Sequence, residues 1–304
     1  MKLASVSVVV PTHERPNKLT RLLASLDTLS DYPKEVVVVS DSNDETTGSL
    51  LKNWRENSHR FEARSYLQSG GTGPAVSRNT GASYANGDII AFIDDDCVAE
   101  PNWLSNLVHG IHLENGVVGV GGRVIPLRPS LISKYYSRYR ILEPPDSLEY
   151  LVSANCCYSK DAMLNVGGFD EDISKPGGED VGLSLKLSNS GWRFGFVSDA
   201  VVRHDFREGI LDFCKTFSNY GRGCRTVTNK YGISQSEATG SYAAFGGYGY
   251  GSLAPSRIGP DELLREAYST YKSAMKEGGI QQALAFPALR VLQRLSYYHG
   301  WMND

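Results

Sequence analysis

The 304-residue chain has no apolar run approaching the roughly 18 residues that a membrane-crossing helix needs. Its opening, MKLASVSVVVPTHERP, carries an apolar stretch too short for a signal peptide. The expectation is a cytoplasmic protein, at most resting against the inner face of a membrane. Cysteine is scarce: Cys97, Cys156, Cys157, Cys214 and Cys224 are odd in number and form no C-x-x-C pair. A disulfide framework and a structural zinc site are thereby disfavoured. Positive charge is not in excess, since the net charge is -3, so nothing in the balance calls for a nucleic-acid partner. Phosphate-cradling glycine motifs are missing too. A G-x-G-x-x-G reading from Gly71 ends on Val76 and one from Gly119 ends on Val124. There is no G-x-x-x-x-G-K-[ST], so a kinase or a nicotinamide enzyme is not supported. Calcium loops fail as well, because the fifth position counted from Asp94 is Val98 and the sixth from Asp41 is Thr46.

What is present is an alternation of strand-like and helix-like segments. Val6–Val10, Glu35–Ser40 and Ile89–Ile93 are continuous apolar runs, with a weaker strand at Phe61–Leu67. Helical spacing appears at Asn17–Leu26, Thr46–Trp54, Pro74–Tyr84 and Asn102–Leu113. Apolar strands separated by helices indicate an α/β protein with a mostly parallel sheet covered on both faces. Ligands of such sheets bind beyond the carboxyl ends of the strands. Polar clusters stand at those ends: Thr12-His13-Glu14, Ser40 to Asp44, and Asp94-Asp95-Asp96. The second half is less regular. Gly116–Leu127 reads as strand, Ser133–Leu142 as helix, and Trp192–Phe206 as two strand-like pieces ending at His204. Helices are expected at Ile210–Tyr231, Asp261–Lys276 and Gln281–Tyr298.

The aspartate triplet is the feature most in need of explanation. Like charges about 4 Å apart repel by roughly 4 kcal/mol at an effective dielectric of ~20, so a positive partner is required. On an extended chain Asp94 and Asp96 would share a face and Asp95 would point away. Two convergent carboxylates suit Mg2+ or Mn2+. Helix capping or plain solvation of the aspartates is the simpler alternative.

Several stretches, taken in order, decide for a site. GTGPAVSRNTGASYANGDIIAFIDDDC, with VSVVVPTHERP and VVVVSDSNDETT before it and VGGFDEDISKPGGEDVGLSLKLSNSGWRFGFVSDAVVRH after it, resembles family 2 glycosyltransferases from about residue 5 to about 230. The resemblance implies the glycosyltransferase-A fold with a helical C-terminal extension. A catalytic domain would span 1–230, with a nucleotide-binding part at 1–100 and an acceptor-binding part at 101–230; 231–304 would be the loop and extension. It implies an inverting transfer from a nucleotide-diphospho-sugar, first of all a UDP-sugar, to an acceptor hydroxyl, with Mn2+ or Mg2+ on the diphosphate. A non-catalytic nucleotide-sugar binder on the same fold is the alternative.

Carried over residue by residue, the resemblance puts Pro11, Thr12 and Glu14 in the nucleoside pocket and Asp41 at the base. Arg78 would lie near the base or diphosphate and Asp94 at the ribose. Asp95 would stand at the edge of the site. Asp96 would hold the metal, with His204 as a further ligand. Asp180, with Glu179 beside it, matches the general base. Gly73, with Gly71, would let backbone approach the donor closely. Ser40 replaces an aspartate usual in the family, His13 and Glu14 replace Tyr and Asn, and Lys186 stands where Arg is common. The Val181, Leu183, Leu185, Leu187 alternation suggests strand, whereas the resemblance implies helix. The aromatic and basic segment Phe213–Gly232 has the composition of a helix lying on a membrane, or of one packing on its own domain. Gly240–Gly251 reads as an acceptor lid or a plain loop. The acceptor would be a glycan, a lipid-linked molecule or a small molecule. Peripheral membrane contact and a homodimer stay open at this stage.

Overall fold

A computed structural model describes residues 5–57, 59–173, 176–233 and 259–303. The chain divides into two compact units, Met1–Leu127 with Leu142–Asp205, and Arg128–Ile141 with Phe206–Asp304. This differs from a cut at residue 230. The long helix after His204 belongs to the second unit, which also takes a short helix from the middle of the chain.

The first unit is built on an eight-stranded sheet. In chain order it contains β1 (Val6–Thr12), α1 (Pro16–Leu26), β2 (Glu35–Ser40), α2 (Glu45–Glu56), β3 (Glu62–Leu67), α3 (Pro74–Tyr84) and β4 (Ile89–Ile93). Next come β5 (Cys97–Ala99), α4 (Trp103–His109), β6 (Val117–Pro126), β7 (Asn155–Ser159), α6 (Lys160–Asn165), α7 (Glu179–Asn189) and β8 (Arg193–His204). The strand order is β3-β2-β1-β4-β7-β6-β8-β5. The first four strands are mutually parallel, as the unbroken apolar runs of β1, β2 and β4 indicate. The other half is mixed. β7 is antiparallel to both β4 and β6, β6 and β8 are parallel, and β5 is antiparallel to β8.

Strands β5 and β7 carry no sequence signal of their own. Cys97–Ala99 is too short to show a period, and NCCYS owes its strand form to burial between two neighbours. The two pieces expected around Trp192–Phe206 are one strand, β8, with an irregularity where Gly122 and Arg123 of β6 face Val197 and Val201. Asn155 absorbs that irregularity. Its Nδ2 donates to the carbonyls of Arg123 and Ala200, each at 2.9 Å, and its Oδ1 accepts from Trp103 Nε1 at 2.8 Å. Left unpaired, the buried Ala200 carbonyl would be costly. The helix expected over Asn102–Leu113 stops at His109, and Leu113–Asn115 forms a separate 3-10 turn closed by left-handed Gly116. The alternating apolar pattern after Asp180 is helix, because α7 is buried nearly all round: Val181, Leu183, Leu185 and Leu187 are all inside.

The second unit packs α5 (Leu131–Arg138), α8 (Ile210–Lys230), α9 (Pro260–Glu277) and α10 (Gly279–Met302). Tyr135 and Tyr136 of α5 form an aromatic cluster with Phe206, Phe213, Phe217 and Phe286. The aromatic stripe of α8 is therefore used inside its own unit, with Phe213, Phe217, Cys224 and Val227 buried. No helix among the described residues is long and apolar enough to cross a membrane. Gly240–Gly251, read above as a lid, lies outside the described residues.

Glycine sets how closely α8 and α10 approach. A Cβ at Gly300 would overlap the carbonyl of Ser218, and one at Gly221 would overlap the carbonyl of Tyr297. Both obstacles are backbone, so the helices would have to separate. Gly300→Ala is expected to lower the unfolding free energy by about 2–3 kcal/mol, read as a lower urea midpoint followed through α-helical circular dichroism.

Candidate active site

The polar clusters at the ends of β1, β2 and β4 do lie at one edge, because these strands are parallel neighbours. The aspartates are not arranged as an extended chain would place them. β4 ends at Ile93 and residues 94–96 turn, so a period of two does not apply. Asp95 and Asp96 converge on one guanidinium instead. Arg15 Nη1 lies 3.1 Å from Asp95 Oδ1 and 3.2 Å from Asp96 Oδ2. Asp94 turns the other way, to Arg78 Nη2 at 2.8 Å. Asp95 also accepts the Thr12 hydroxyl at 2.7 Å, and only 4% of it is exposed. It therefore ties β1 to the turn, which is a structural task. Burial and the neighbouring Asp96 charge push its carboxyl up to about 6.

Asp96 and His204 meet because of sheet register. Antiparallel β5 and β8 pair Cys97 with His204, and the backbone N–H of Asp205 donates to the Asp96 carbonyl at 2.9 Å. His204 Nε2 then lies 3.1 Å from Asp96 Oδ1. Burial alone would raise the Asp96 carboxyl and lower the imidazole. Their mutual attraction outweighs burial, so Asp96 is held well below the carboxylate range and His204 is raised.

The same oxygen and nitrogen suit a divalent cation. Ligands about 2.1 Å from a six-coordinate ion lie about 3 Å apart along an edge, close to the separation observed. Cys97 Sγ is within 4.8 Å of both, but a sulfur donor suits Mn2+ or Mg2+ less well than the carboxylate and the imidazole do.

Sequence reasoning passed over the cations that crowd this corner. Lys18 Nζ is 3.4 Å from Asp96 Oδ2 and 3.6 Å from Asp205 Oδ2, and Arg21 Nη2 is 2.8 Å from Asp205 Oδ2. Arg15, Lys18 and Arg21 recur every three residues at the start of α1, a spacing that puts them on one side of a helix. That spacing was the available signal.

On the other side Arg78 is the hub. It is buried, and its Nη1 donates to Glu179 Oε1 at 2.9 Å while its Nη2 holds Asp94. It acts as a clamp between the GGED and DDD segments, with both Nη atoms on carboxylates of the protein. Burial would lower its affinity for the proton, but Asp94 and Glu179 raise it further, so it stays charged at any working pH. Gly177 and Gly178 both take positive φ, which glycine alone adopts readily, and they deliver Glu179 and Asp180 onto the first turn of α7. Glu179 Oε2 accepts the Gly177 N–H at 2.7 Å, so both of its oxygens are engaged. Asp180 is less enclosed, and its Oδ1 takes the Val181 N–H at 2.9 Å. Burial first, and the Glu179 charge second, raise its carboxyl to about 7.

Asn79, also passed over, steadies the neighbouring GGFD loop. It accepts from Phe169 N at 2.8 Å and donates to Phe169 O at 2.9 Å, while a Cβ at Gly168 would collide with it. Lys186, which stands where Arg is more usual, places its Nζ on the Gly168 carbonyl and 3.0 Å from Asp170 Oδ1.

The nucleoside side is shaped by Asp41. Its Oδ1 accepts Thr72 N at 3.0 Å and Thr72 Oγ1 at 2.6 Å, and its Oδ2 accepts Gly73 N at 2.8 Å. The carboxylate is thus committed to bracing the glycine turn, where Gly70, Gly71 and Gly73 all have positive φ. A second aspartate of that cluster, Asp44, caps α2. Pro11 stands opposite Val39, and Thr12, the last paired residue of β1, stands opposite Ser40. Glu14 is exposed with φ 51°, a strained setting for a non-glycine residue and one that recurs at ligand sites.

Known proteins resemble this chain in sequence and in fold. A pre-mycofactocin glycosyltransferase of Mycobacterium tuberculosis is 29% identical over 233 residues, covering 71% of this chain and 46% of that protein. A glucosyl-dolichyl phosphate glucuronosyltransferase of Haloferax volcanii is 27% identical over 190 residues, 58% of this chain and 59% of that protein. The chain thus spans only about half the length of these curated relatives. Among solved structures, the mannosyltransferase PcManGT from Pyrobaculum calidifontis, in complex with GDP-Man and Mn2+, matches with a TM-score of 0.66 at 18% identity over 99% of this chain and 88% of that one. GalNAc-T7 with UDP, GalNAc and Mn2+ matches with a TM-score of 0.58 at 19% identity, over 91% of this chain and 57% of that one. At such identities the likeness speaks for the fold, and the fold is glycosyltransferase-A. The sequence model described as "Glycosyl transferase family 2" matches residues 7–171, more than half of the chain, and the protein belongs to that family.

Proposed function

We propose that the protein transfers a sugar, with inversion, from a nucleotide-diphospho-sugar to an acceptor hydroxyl, and that Asp180 is the general base. One observation carries this reading. The buried Arg78 joins Asp94 to Glu179, which brings a carboxyl poised near neutrality to the same site as the aspartate triplet. A base with a pKa near the working pH is efficient because it is largely free of its proton yet still basic.

Asp96 and His204 would hold Mn2+ or Mg2+, which would supply charge neutralisation for the departing diphosphate. Arg78 positions the chemistry from beneath, fixing Asp94 on one side and the first turn of α7 on the other. Glu179 orients and tunes Asp180 through its charge. Asp180 takes the proton of the acceptor hydroxyl as the oxygen attacks the sugar carbon from the face opposite the leaving group. Asp41 shapes the nucleoside side by fixing the Thr72–Gly73 backbone, while Pro11, Thr12 and Glu14 form its other wall. A UDP-sugar is the first donor to try, with GDP-sugars next, since the carboxylate expected to read the base is already committed to the loop.

Asp180→Asn is expected to abolish transfer while leaving donor binding within about twofold, measured by product formation and by calorimetry with a panel of nucleotide sugars. Wild-type kcat/KM should climb about tenfold per pH unit below neutrality and level off near pH 7, where Asp180 loses its proton. Unchanged transfer by Asp180→Asn would remove the base assignment.

The raised carboxyl also has a stability signature. The folded pKa lies above the unfolded one, so folded protein binds the extra proton and stability declines as pH rises from about 4 to 7. Asp180→Asn should therefore stabilise the fold by about 1–2 kcal/mol at pH 8 and by almost nothing at pH 4, as shown by thermal unfolding at the two pH values. Arg78→Met leaves Asp94 and Glu179 facing each other unpaired. It is expected to destabilise by about 3–5 kcal/mol, with a matching drop in the urea midpoint.

A further inference from the structure

The carboxylates at this end of the sheet are paired with cations of the protein itself. Arg15 faces Asp95 and Asp96, Lys18 faces Asp96 and Asp205, Arg21 faces Asp205, and Arg78 faces Asp94 and Glu179. A divalent cation entering alone would meet positive charges already standing around Asp96. A nucleoside diphosphate entering with it would offset that charge.

Asp96 is where the conflict is sharpest. Arg15, Lys18 and His204 all lie within 3.4 Å of its carboxylate. His204 is nearly enclosed, but the Arg15 and Lys18 side chains are 35% and 26% exposed and stand just before and on the first turn of α1, at the rim of the site. Long side chains anchored there have the freedom to swing. Lys18 also has a second place to rest, since its Nζ is 3.2 Å from the Asp205 carbonyl.

We propose that Arg15 and Lys18 form an internal counter-charge for Asp96. They hold its carboxylate while no ligand is bound, give it up to the divalent cation, and transfer to the donor's diphosphate oxygens. The inference rests on the reading of Asp96 and His204 as cation ligands. It makes the two cations competitors of the metal when nucleotide is lacking and partners of the metal when nucleotide is present. Cation and diphosphate then bind as a linked pair, each raising the affinity of the other by the same factor. Arg21 stays on Asp205 throughout and keeps α1 anchored to the end of β8.

The test is Mn2+ binding followed by the electron paramagnetic resonance of the free ion, with and without saturating UDP or GDP. It uses the full chain and the variants Lys18→Met, Arg15→Met and Asp96→Asn, each checked for folding by circular dichroism. Wild type should bind Mn2+ weakly alone and much more tightly with nucleotide. Lys18→Met should tighten Mn2+ binding without nucleotide by about five- to tenfold, the effect of removing one partly exposed competing charge. It should shrink the enhancement by nucleotide at least as much. Arg15→Met should act in the same direction, which keeps the test decisive if one variant folds poorly. If both variants leave Mn2+ affinity without nucleotide unchanged or weaker, while Asp96→Asn abolishes it, the counter-charge idea is wrong and the metal assignment stands. If Asp96→Asn leaves Mn2+ affinity unchanged, the metal assignment fails and the counter-charge idea goes with it.

Discussion

Repulsion among carboxylates confined to one end of the sheet is the constraint on which the rest of this site depends. Three consecutive aspartates follow a fully buried strand, a fourth stands at the end of β8, and two more acidic groups start α7. Unpaired, such a cluster would tend to open the sheet or take up protons. The protein answers with cations drawn from two places. The exposed start of α1 supplies Arg15, Lys18 and Arg21, and the buried middle of α3 supplies Arg78. The rim cations are partly solvated and exchangeable, while the buried one is fixed. Structure and chemistry divide along that line: Arg78 sets the geometry, and the rim cations leave room for a ligand to replace them.

The mixed half of the sheet matters for the same reason. β6 and β8 run the same way as β4, so the end of β8 reaches the edge where β1, β2 and β4 also end. Because β5 doubles back along β8, His204 arrives opposite Cys97 and touches Asp96. Because β7 runs antiparallel between β4 and β6, the following GGFD and GGED segments return to the same edge, where Asn79 and Arg78 receive them in succession. Adjacent residues of one helix thus hold two different loops. The second unit has a core of its own. Its stability comes from aromatic packing on α5 and from a glycine-mediated approach of α8 and α10.

Much of the first half was legible in advance. β2, α3 and β4 were read with their observed bounds, since apolar β-branched runs and a proline-started helix are local signals that tertiary packing had no reason to override. The second half was less so. The strand form of β7 and the pairing of β5 depend on neighbours distant in sequence, and α7 reads as a strand by its period because a helix buried all round shows no single apolar face. The site residues divide in the same manner. Asp96 meets His204, and Glu179 reaches Asp94 through Arg78, whereas the Arg78 Nη atoms and the Asp41 carboxylate are spent on the protein.

By itself the sequence determined the α/β alternation, the polar clusters at the strand ends and the family, because these are properties of local pattern and motif order. Only the tertiary structure decided which cation faces which carboxylate. Charge pairing depends on distances of a few ångströms between residues up to 187 positions apart, as in Lys18 with Asp205, and no spacing along the chain encodes that. The aspartate triplet shows both sides of the division. Its presence could be read directly, but its direction could not, because the strand ended one residue before it and the turn sent Asp94 to one partner and Asp95 with Asp96 to another.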